Sequence, residues 1–249
     1  VVWPENSSDL DPFRDVEAAS LISSAAKAID APILIGAIVD VPNNPQGVWN
    51  LGVVWDPQTG PGQRYAKRHP VPFGEYIPMR ALVAEHIARF ERIPRDFVPG
   101  DHAGLLGIAD VRVGDLICFE VVYDDVVQPL MVGRAELLTV QTNNATYAET
   151  AQPDQQVAIE RMRAIESGRW VAVAATTGIS AFISADGNVV SRRDEGEVGS
   201  LVNDVPRVDG LTPAALIGPW LTLAFALAGV ASLVIAWWGR RRRSPTVVQ

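Results

Sequence analysis

Cys118 is the only cysteine of the chain, and it closes a run, Val111-Arg112-Val113-Gly114-Asp115-Leu116-Ile117, that is apolar first at alternate and then at consecutive positions. That pattern predicts a buried strand running through to Glu120. Val121-Val122-Tyr123-Asp124-Asp125 then offers an aspartate helix start. The thiol therefore stands where an α/β enzyme can hold a nucleophile, at the C-terminal end of a strand just before a helix. A small buried core cysteine satisfies the same pattern. Two more residues with reactive side chains each follow a strand candidate: Glu5 after Val1-Val2-Trp3-Pro4, and Lys67 after Gln63-Arg64-Tyr65-Ala66. Taken alone, Glu5 also fits a solvated loop carboxylate. His69, His86 and His102 show no ligand spacing, and a single cysteine allows neither a disulfide framework nor a multi-cysteine metal site, so no metal site is expected.

The elements that must position these residues follow from periodicity and turn chemistry. Asp15–Ile29 carries apolar residues at helical spacing, while 32–39 and 48–55 are apolar enough for buried strands. Asp56-Pro57-Gln58-Thr59-Gly60 is a turn by composition, so the next strand, from Gln63, forms a hairpin that ends at Lys67. Prolines at 70, 72 and 78 exclude regular structure around Glu75. A short amphipathic helix is expected over 81–90, an irregular connection over 94–107, and a lid over 75–100. Helices are expected at 125–132 and 154–167, the second stopped by Gly168, with strands at 137–141, 171–175, 179–184 and 188–192, the last two joined by Asp186-Gly187. Glu160, Arg163 and Glu166 can form one ionic row, or simply a solvated face. Alternating βαβ units with hairpins argue for a layered α/β domain with mixed sheets.

The 249 residues are 48% hydrophobic with a net charge of −8, which leaves no basic footprint for nucleic acid. The charge is unevenly placed. Residues 211–238 contain no charged side chain, and four arginines, Arg240 to Arg243, come directly after. Residues 214–238 are long enough to cross a bilayer, with Trp220 near one end and Trp237-Trp238 at the other. A buried core helix would not be trailed by four arginines, so a transmembrane helix over 211–238 is expected. The positive-inside bias puts a basic tail, 239–249, in the cytoplasm and the body of the protein outside. The opening Val1-Val2-Trp3-Pro4 resembles the end of a strand, so a start cut inside a domain is also expected.

The ordered set Glu5, Lys67, Cys118 resembles the Glu-Lys-Cys triad of the nitrilase (carbon-nitrogen hydrolase) superfamily. Trp3-Pro4-Glu5-Asn6, Tyr65-Ala66-Lys67, Pro70-Val71-Pro72-Phe73-Gly74-Glu75-Tyr76-Ile77-Pro78, Cys118-Phe119-Glu120, Thr142-Asn143-Asn144-Ala145 and the stretch from Ala158 to Glu166 resemble its membrane branch, the apolipoprotein N-acyltransferases. The resemblance implies a nitrilase-like α-β-β-α sandwich over 1–208, lacking its first strand, and several membrane helices upstream of it. It implies no cofactor. It also implies an inner-membrane enzyme that moves a fatty acyl chain from a phospholipid, through a Cys118 thioester, to the N-terminal amine of a diacylglyceryl-cysteine lipoprotein. Glu5 would be the base, since a free thiol is only slightly ionised at neutral pH. Lys67, with the Phe119 N–H, would bind the oxyanion. Glu75 would hold Lys67, and Glu120 would support the pocket. Phe119 stands where tyrosine is also common. Alternatives are a membrane-tethered amidase acting on small amides with the same triad, and an inactive envelope scaffold.

Overall fold

A computed structural model describes residues 1–80 and 93–241. The helix expected over 81–90 lies outside the described residues, as does much of the expected lid.

The apolar runs on either side of the first turn pair as expected. β1 (Ile33–Asp40) and β2 (Gly47–Asp56) are antiparallel, with Ile33 opposite Trp55. β3 (Gly60–Ala66) returns along β2 and stops with Ala66 opposite Leu51. The chain comes back as β4 (Asp96–Phe97), parallel to the start of β2, so β4 prolongs the edge that β3 leaves. Residues 94–107 are thus less irregular than their composition predicts. α1 (Val16–Ile29) begins where Asp15 accepts the Ala18 N–H at 2.8 Å. It lays Ile22 and Ala26 on the outer face of this sheet, against Ile33, Ile35, Ala37 and Val39.

The second sheet runs in the order β10-β9-β8-β7-β6-β5. Its strands are β5 (Leu105–Ile108), β6 (Val111–Ile117), β7 (Leu137–Thr142), β8 (Val171–Ala175), β9 (Ser180–Ile183) and β10 (Val189–Arg193). β6, β7 and β8 are parallel and the remaining pairs antiparallel. α2 (Asp124–Val132) and α3 (Gln152–Ser167) make the crossovers and cover the outer face, packing Val126, Leu130, Val157 and Ala164 on Leu116, Leu138 and Val140. Gly168 ends α3 at φ 65°, a conformation that glycine adopts without strain.

Between the sheets lie Leu34, Val54, Tyr65, Leu106, Ile117 and Cys118, which completes an α-β-β-α sandwich. Gly52 permits the sheets to approach: a Cβ there would stand 2.1 Å from Asp115 Oδ2 and 2.8 Å from Gln141 Oε1. After β10 the chain has no regular structure until α4 (Pro213–Arg241), yet it is bound to the body. Arg134 Nη1 donates to Asp209 O at 2.9 Å, Arg169 Nη2 to Gly210 O at 2.6 Å and Gln128 Nε2 to Ala215 O at 2.6 Å. Arg207 pairs with Glu136 at 2.5 Å. Within α4, the 19 residues Trp220–Trp238 are apolar, with none of that span buried in the protein. They rise about 28 Å, close to the thickness of a bilayer's hydrocarbon core.

Candidate active site

Glu5 reaches the interior because the first residues run along the free edge of β1 and leave it in the middle. Parallel bridges join Val2 to Leu34 and Ser8 to Ala37, and residues 4–7 loop away between them. The loop crosses Gly36 so closely that a Cβ there would stand 2.3 Å from Pro4 O and 2.7 Å from Glu5 Cα. Thr176 Oγ1 holds the Glu5 carbonyl at 2.9 Å. The carboxylate is consequently 3% exposed, not a solvated loop group.

Lys67 is fixed where β3 gives way to β4. Its N–H donates to Asn50 O at 2.9 Å, and its carbonyl accepts from the Gly100 N–H at 2.8 Å. Lys67 Nζ donates to Glu75 Oε1 at 2.8 Å and to Glu5 Oε1 at 3.2 Å. Asn50 Nδ2 donates to the same Glu5 oxygen at 2.6 Å and to Glu75 Oε1 at 3.3 Å. The proline-rich loop turns Glu75 inward, where its second oxygen accepts the Val71 N–H at 2.7 Å.

The strand expected to run to Glu120 ends at Ile117, and Cys118–Val122 form a 3-10 turn. Cys118 takes φ 57°, the left-handed region that a residue with a Cβ seldom occupies. Glu120 holds that turn. Fully buried, it accepts the N–H groups of Ile117 at 3.0 Å, Arg68 at 2.6 Å and His69 at 3.1 Å, and the Tyr65 hydroxyl at 2.9 Å. It therefore latches the Cys118 turn to the segment after Lys67. Phe119 points its ring outward, 43% exposed, edge-on to Tyr123 with centroids 6.2 Å apart. Tyr123 in turn stacks on His69 at 4.2 Å.

Burial raises the Glu5 carboxyl above its ordinary value, with Lys67 opposing the rise and Glu75 adding to it. For Lys67, burial alone would lower the ammonium, but Glu5, Glu75 and Cys118 outweigh it and hold the group well above its usual range. It stays charged. The Cys118 thiol is pushed up to about 12, by burial first and by the Glu5 charge second, against the opposing pull of Lys67, the Thr142 hydroxyl and the Asn143 N–H. The thiol is thus neutral at rest, within electrostatic reach of a buried carboxyl whose affinity for a proton is raised, beside a fixed cation. That combination suits nucleophilic attack on an acyl carbon.

Asn50, Thr142 and Gln156 also belong to this region, and the motifs assign them no role. A lone buried asparagine inside the apolar strand β2 is the signal for the first. A cavity of about 420 Å³ lies between α2, α3 and α4, lined by Val127, Met131, Arg163 and Ala215. Another, of about 520 Å³, lies under Trp3, Leu10 and Leu21. Neither is lined by Glu5, Lys67 or Cys118.

The α-β-β-α sandwich belongs to a known class: the chain is a member of the carbon-nitrogen hydrolase family, which matches residues 1–210. Within it, the chain is similar to the apolipoprotein N-acyltransferase of Mycolicibacterium smegmatis, 41% identical over 261 residues that take in 100% of this chain and 43% of that protein. It is 32% identical to the apolipoprotein N-acyltransferase of Pseudomonas paraeruginosa, over 98% of this chain and 47% of that one. The chain spans less than half the length of these relatives. Among solved structures, the amidase from Nesterenkonia sp. AN1 superposes with a TM-score of 0.61 at 21% identity, covering 85% of this chain and 78% of that one. The carbon-nitrogen hydrolase from Helicobacter pylori G27 gives 0.57 at 17% identity over 78% and 72%. These two share the fold.

Proposed function

We propose that the chain is the catalytic part of an apolipoprotein N-acyltransferase, with Glu5, Lys67 and Cys118 as its triad. The observation that carries the proposal is the buried contact of Lys67 with Glu5 and Glu75, at 3.2 and 2.8 Å, within electrostatic reach of the chain's one thiol. In the first half-reaction Glu5 takes the Cys118 proton and the sulfur attacks the ester carbonyl of a phospholipid. Lys67 Nζ and the Phe119 N–H meet the charge on the oxyanion. The ester C–O bond breaks, and the lysophospholipid alkoxide leaves with the proton from Glu5, giving a thioester. In the second, the α-amino group of a diacylglyceryl-cysteine lipoprotein attacks the thioester and passes a proton to Glu5. An amide bond forms, the C–S bond breaks, and the Cys118 thiolate recovers the proton. Glu75 keeps Lys67 in place throughout.

Residues 1–208 form the catalytic domain in this proposal, 211–238 the span and 239–249 a cytoplasmic tail. The body faces the outside of the inner membrane, where both lipid substrates lie, and the complete protein crosses the membrane several times. The exposed apolar length of α4 supports this placement. Amide hydrolysis by the same side chains is the second reading, drawn from the amidase among the fold neighbours.

The test is intact-mass analysis of the full-length protein mixed with phospholipid. One fatty-acyl mass, removed by hydroxylamine and missing in Cys118→Ala, is expected. No adduct with lipid, together with turnover of small amides, would favour the hydrolase. Full lipoprotein acylation by Cys118→Ser in a deletion strain would leave only a scaffold role.

A further inference from the structure

The parallel pairing of β6 with β7 sets Ile117 opposite Gln141, so the next residues, Cys118 and Thr142, stand side by side where the two strands end. Thr142 is 1% exposed, and its hydroxyl is one of the groups that favour the ionised sulfur. A hydroxyl has one proton to give, and where it points depends on what else holds the oxygen. Here Gln156 Nε2 donates to Thr142 Oγ1 at 2.7 Å, which occupies an acceptor position and leaves the hydroxyl proton for the thiol side.

The amide of Gln156 is itself held on three sides. Its Nε2 also donates to Glu160 Oε1 at 3.0 Å, and its oxygen accepts from Asn144 Nδ2 at 3.0 Å. A flipped amide would set oxygen against the Glu160 carboxyl and NH₂ against NH₂ at Asn144, and its oxygen would draw the Thr142 proton away from the sulfur. Asn144 cannot easily yield. Its N–H donates to Thr177 O at 2.9 Å, and its Oδ1 lies where a Cβ on Gly178, at φ 112°, would be only 2.3 Å away. Gln156 and Glu160 are one helical turn apart on α3, both buried, with Gln156 reaching the end of β7 at Thr142.

We propose that Thr142 is the hydrogen-bond donor to the Cys118 thiolate, and that Gln156 is a positioning residue that aims the Thr142 hydroxyl. The proposal rests on Cys118 being the nucleophile. The donor stabilises the sulfur twice: when it forms as thiolate, and when the amine expels it from the thioester. Lys67 stays free for the carbonyl oxygen, so anion stabilisation is divided between a cation for oxygen and a hydroxyl for sulfur.

The experiment is iodoacetamide alkylation of the full-length protein in detergent, followed by intact mass from pH 6 to 10, beside acyl-enzyme formation from phospholipid. A hydrogen bond to a charged group corresponds to roughly 10- to 100-fold in the population of the thiolate. Thr142→Val, of matching shape, should alkylate slower by about that factor, and Thr142→Ser should restore the rate. Gln156→Met should slow it less, and Thr142→Val/Gln156→Met should be no slower than Thr142→Val alone, because the amide acts only through the hydroxyl. Thr142→Val alkylating like wild type, or Thr142→Ser as slow as Thr142→Val, would overturn the donor. Additive losses in the double variant would overturn the positioning role. If Thr142→Val does not fold, Thr142→Ala against Thr142→Ser, with Gln156→Met, decides the same points. Because alkylation needs no lipid, a wild type that forms no acyl-enzyme would sink the acyltransferase proposal while leaving this one on its own evidence.

Discussion

Glu5→Gln is the substitution on which the site's chemistry turns. Glutamine keeps the shape and an oxygen that can accept from Asn50 and Lys67, and removes the negative charge and with it the capacity to take a proton. A thiol pushed up to about 12 loses its proton to water at pH 8 in only about one molecule in 10⁴. In wild type a second route exists, because the proton can move from sulfur to Glu5, whose carboxyl burial has raised. That exchange stays within the site and releases no proton to solvent. Alkylation of wild type by iodoacetamide should therefore rise less steeply with pH, from 7 to 9, than in Glu5→Gln. In Glu5→Gln the proton must go to solvent, and the rate should climb about tenfold per pH unit, roughly 100-fold over the same range. Slope is the diagnostic and absolute rate is not, because losing the Glu5 charge also removes one of the groups that push the thiol up. Acyl transfer should fall at every pH, since no group remains to protonate the leaving alkoxide. A flat profile in Glu5→Gln, or a tenfold climb already present in wild type, would refute the proton partnership.

Lys67→Met leaves Glu5 and Glu75 facing each other without their cation. Breaking a buried pair from one side costs about 3–5 kcal/mol, or a Tm lower by roughly 6–20 °C, and the loss should ease in a melt across pH as acid neutralises Glu5, whose carboxyl burial raises. Gly36→Ala should displace the Glu5 loop, since its Cβ would meet backbone at 2.3 and 2.7 Å. Acyl-enzyme formation by Gly36→Ala should drop on the order of 100-fold, which a rate within twofold of wild type would contradict. Glu160 is raised by burial from 4.5 to about 7, so its folded state binds the proton more tightly than the unfolded chain. Its share of stability is present below pH 4.5 and lost as pH rises through about 7. Denaturant unfolding of Glu160→Gln should therefore gain on wild type by up to about 3 kcal/mol between pH 4.5 and 8.

What was legible in the sequence was set by strand ends. Glu5, Lys67 and Cys118 each follow a strand candidate in the sequence, and the fold brings Glu5 and Lys67 into contact within electrostatic reach of Cys118. The bend at Cys118 was not legible, because no glycine or asparagine marks a positive φ there, and the strand pattern reads on past Cys118 as though it were unbroken. The ionic row on α3 failed for a geometric reason. Steps of three residues drift around a helix by about 60° each, so Glu166 reaches Arg163 at the rim while Glu160 has turned under it, toward Gln156. β4 and β5 were missed because two and four residues carry too little period to detect. Gln156 looked like an ordinary polar helix residue, and only its place over β7 gives it work.

The segment between β10 and α4 has the composition of a slack tether, yet Arg134, Arg169 and Arg207 grip its backbone or its neighbours on the body. With α4 embedded as proposed, the protein would be a head bolted to its mast and not one swinging on a rope. Elevation and tilt of the reactive rim above the lipid would then be fixed by the architecture. A floating head would sample many heights and meet each lipid by chance. A bolted one selects for reacting groups that can rise to its level, so the depth at which a substrate's scissile bond sits becomes a criterion of choice alongside its chemistry.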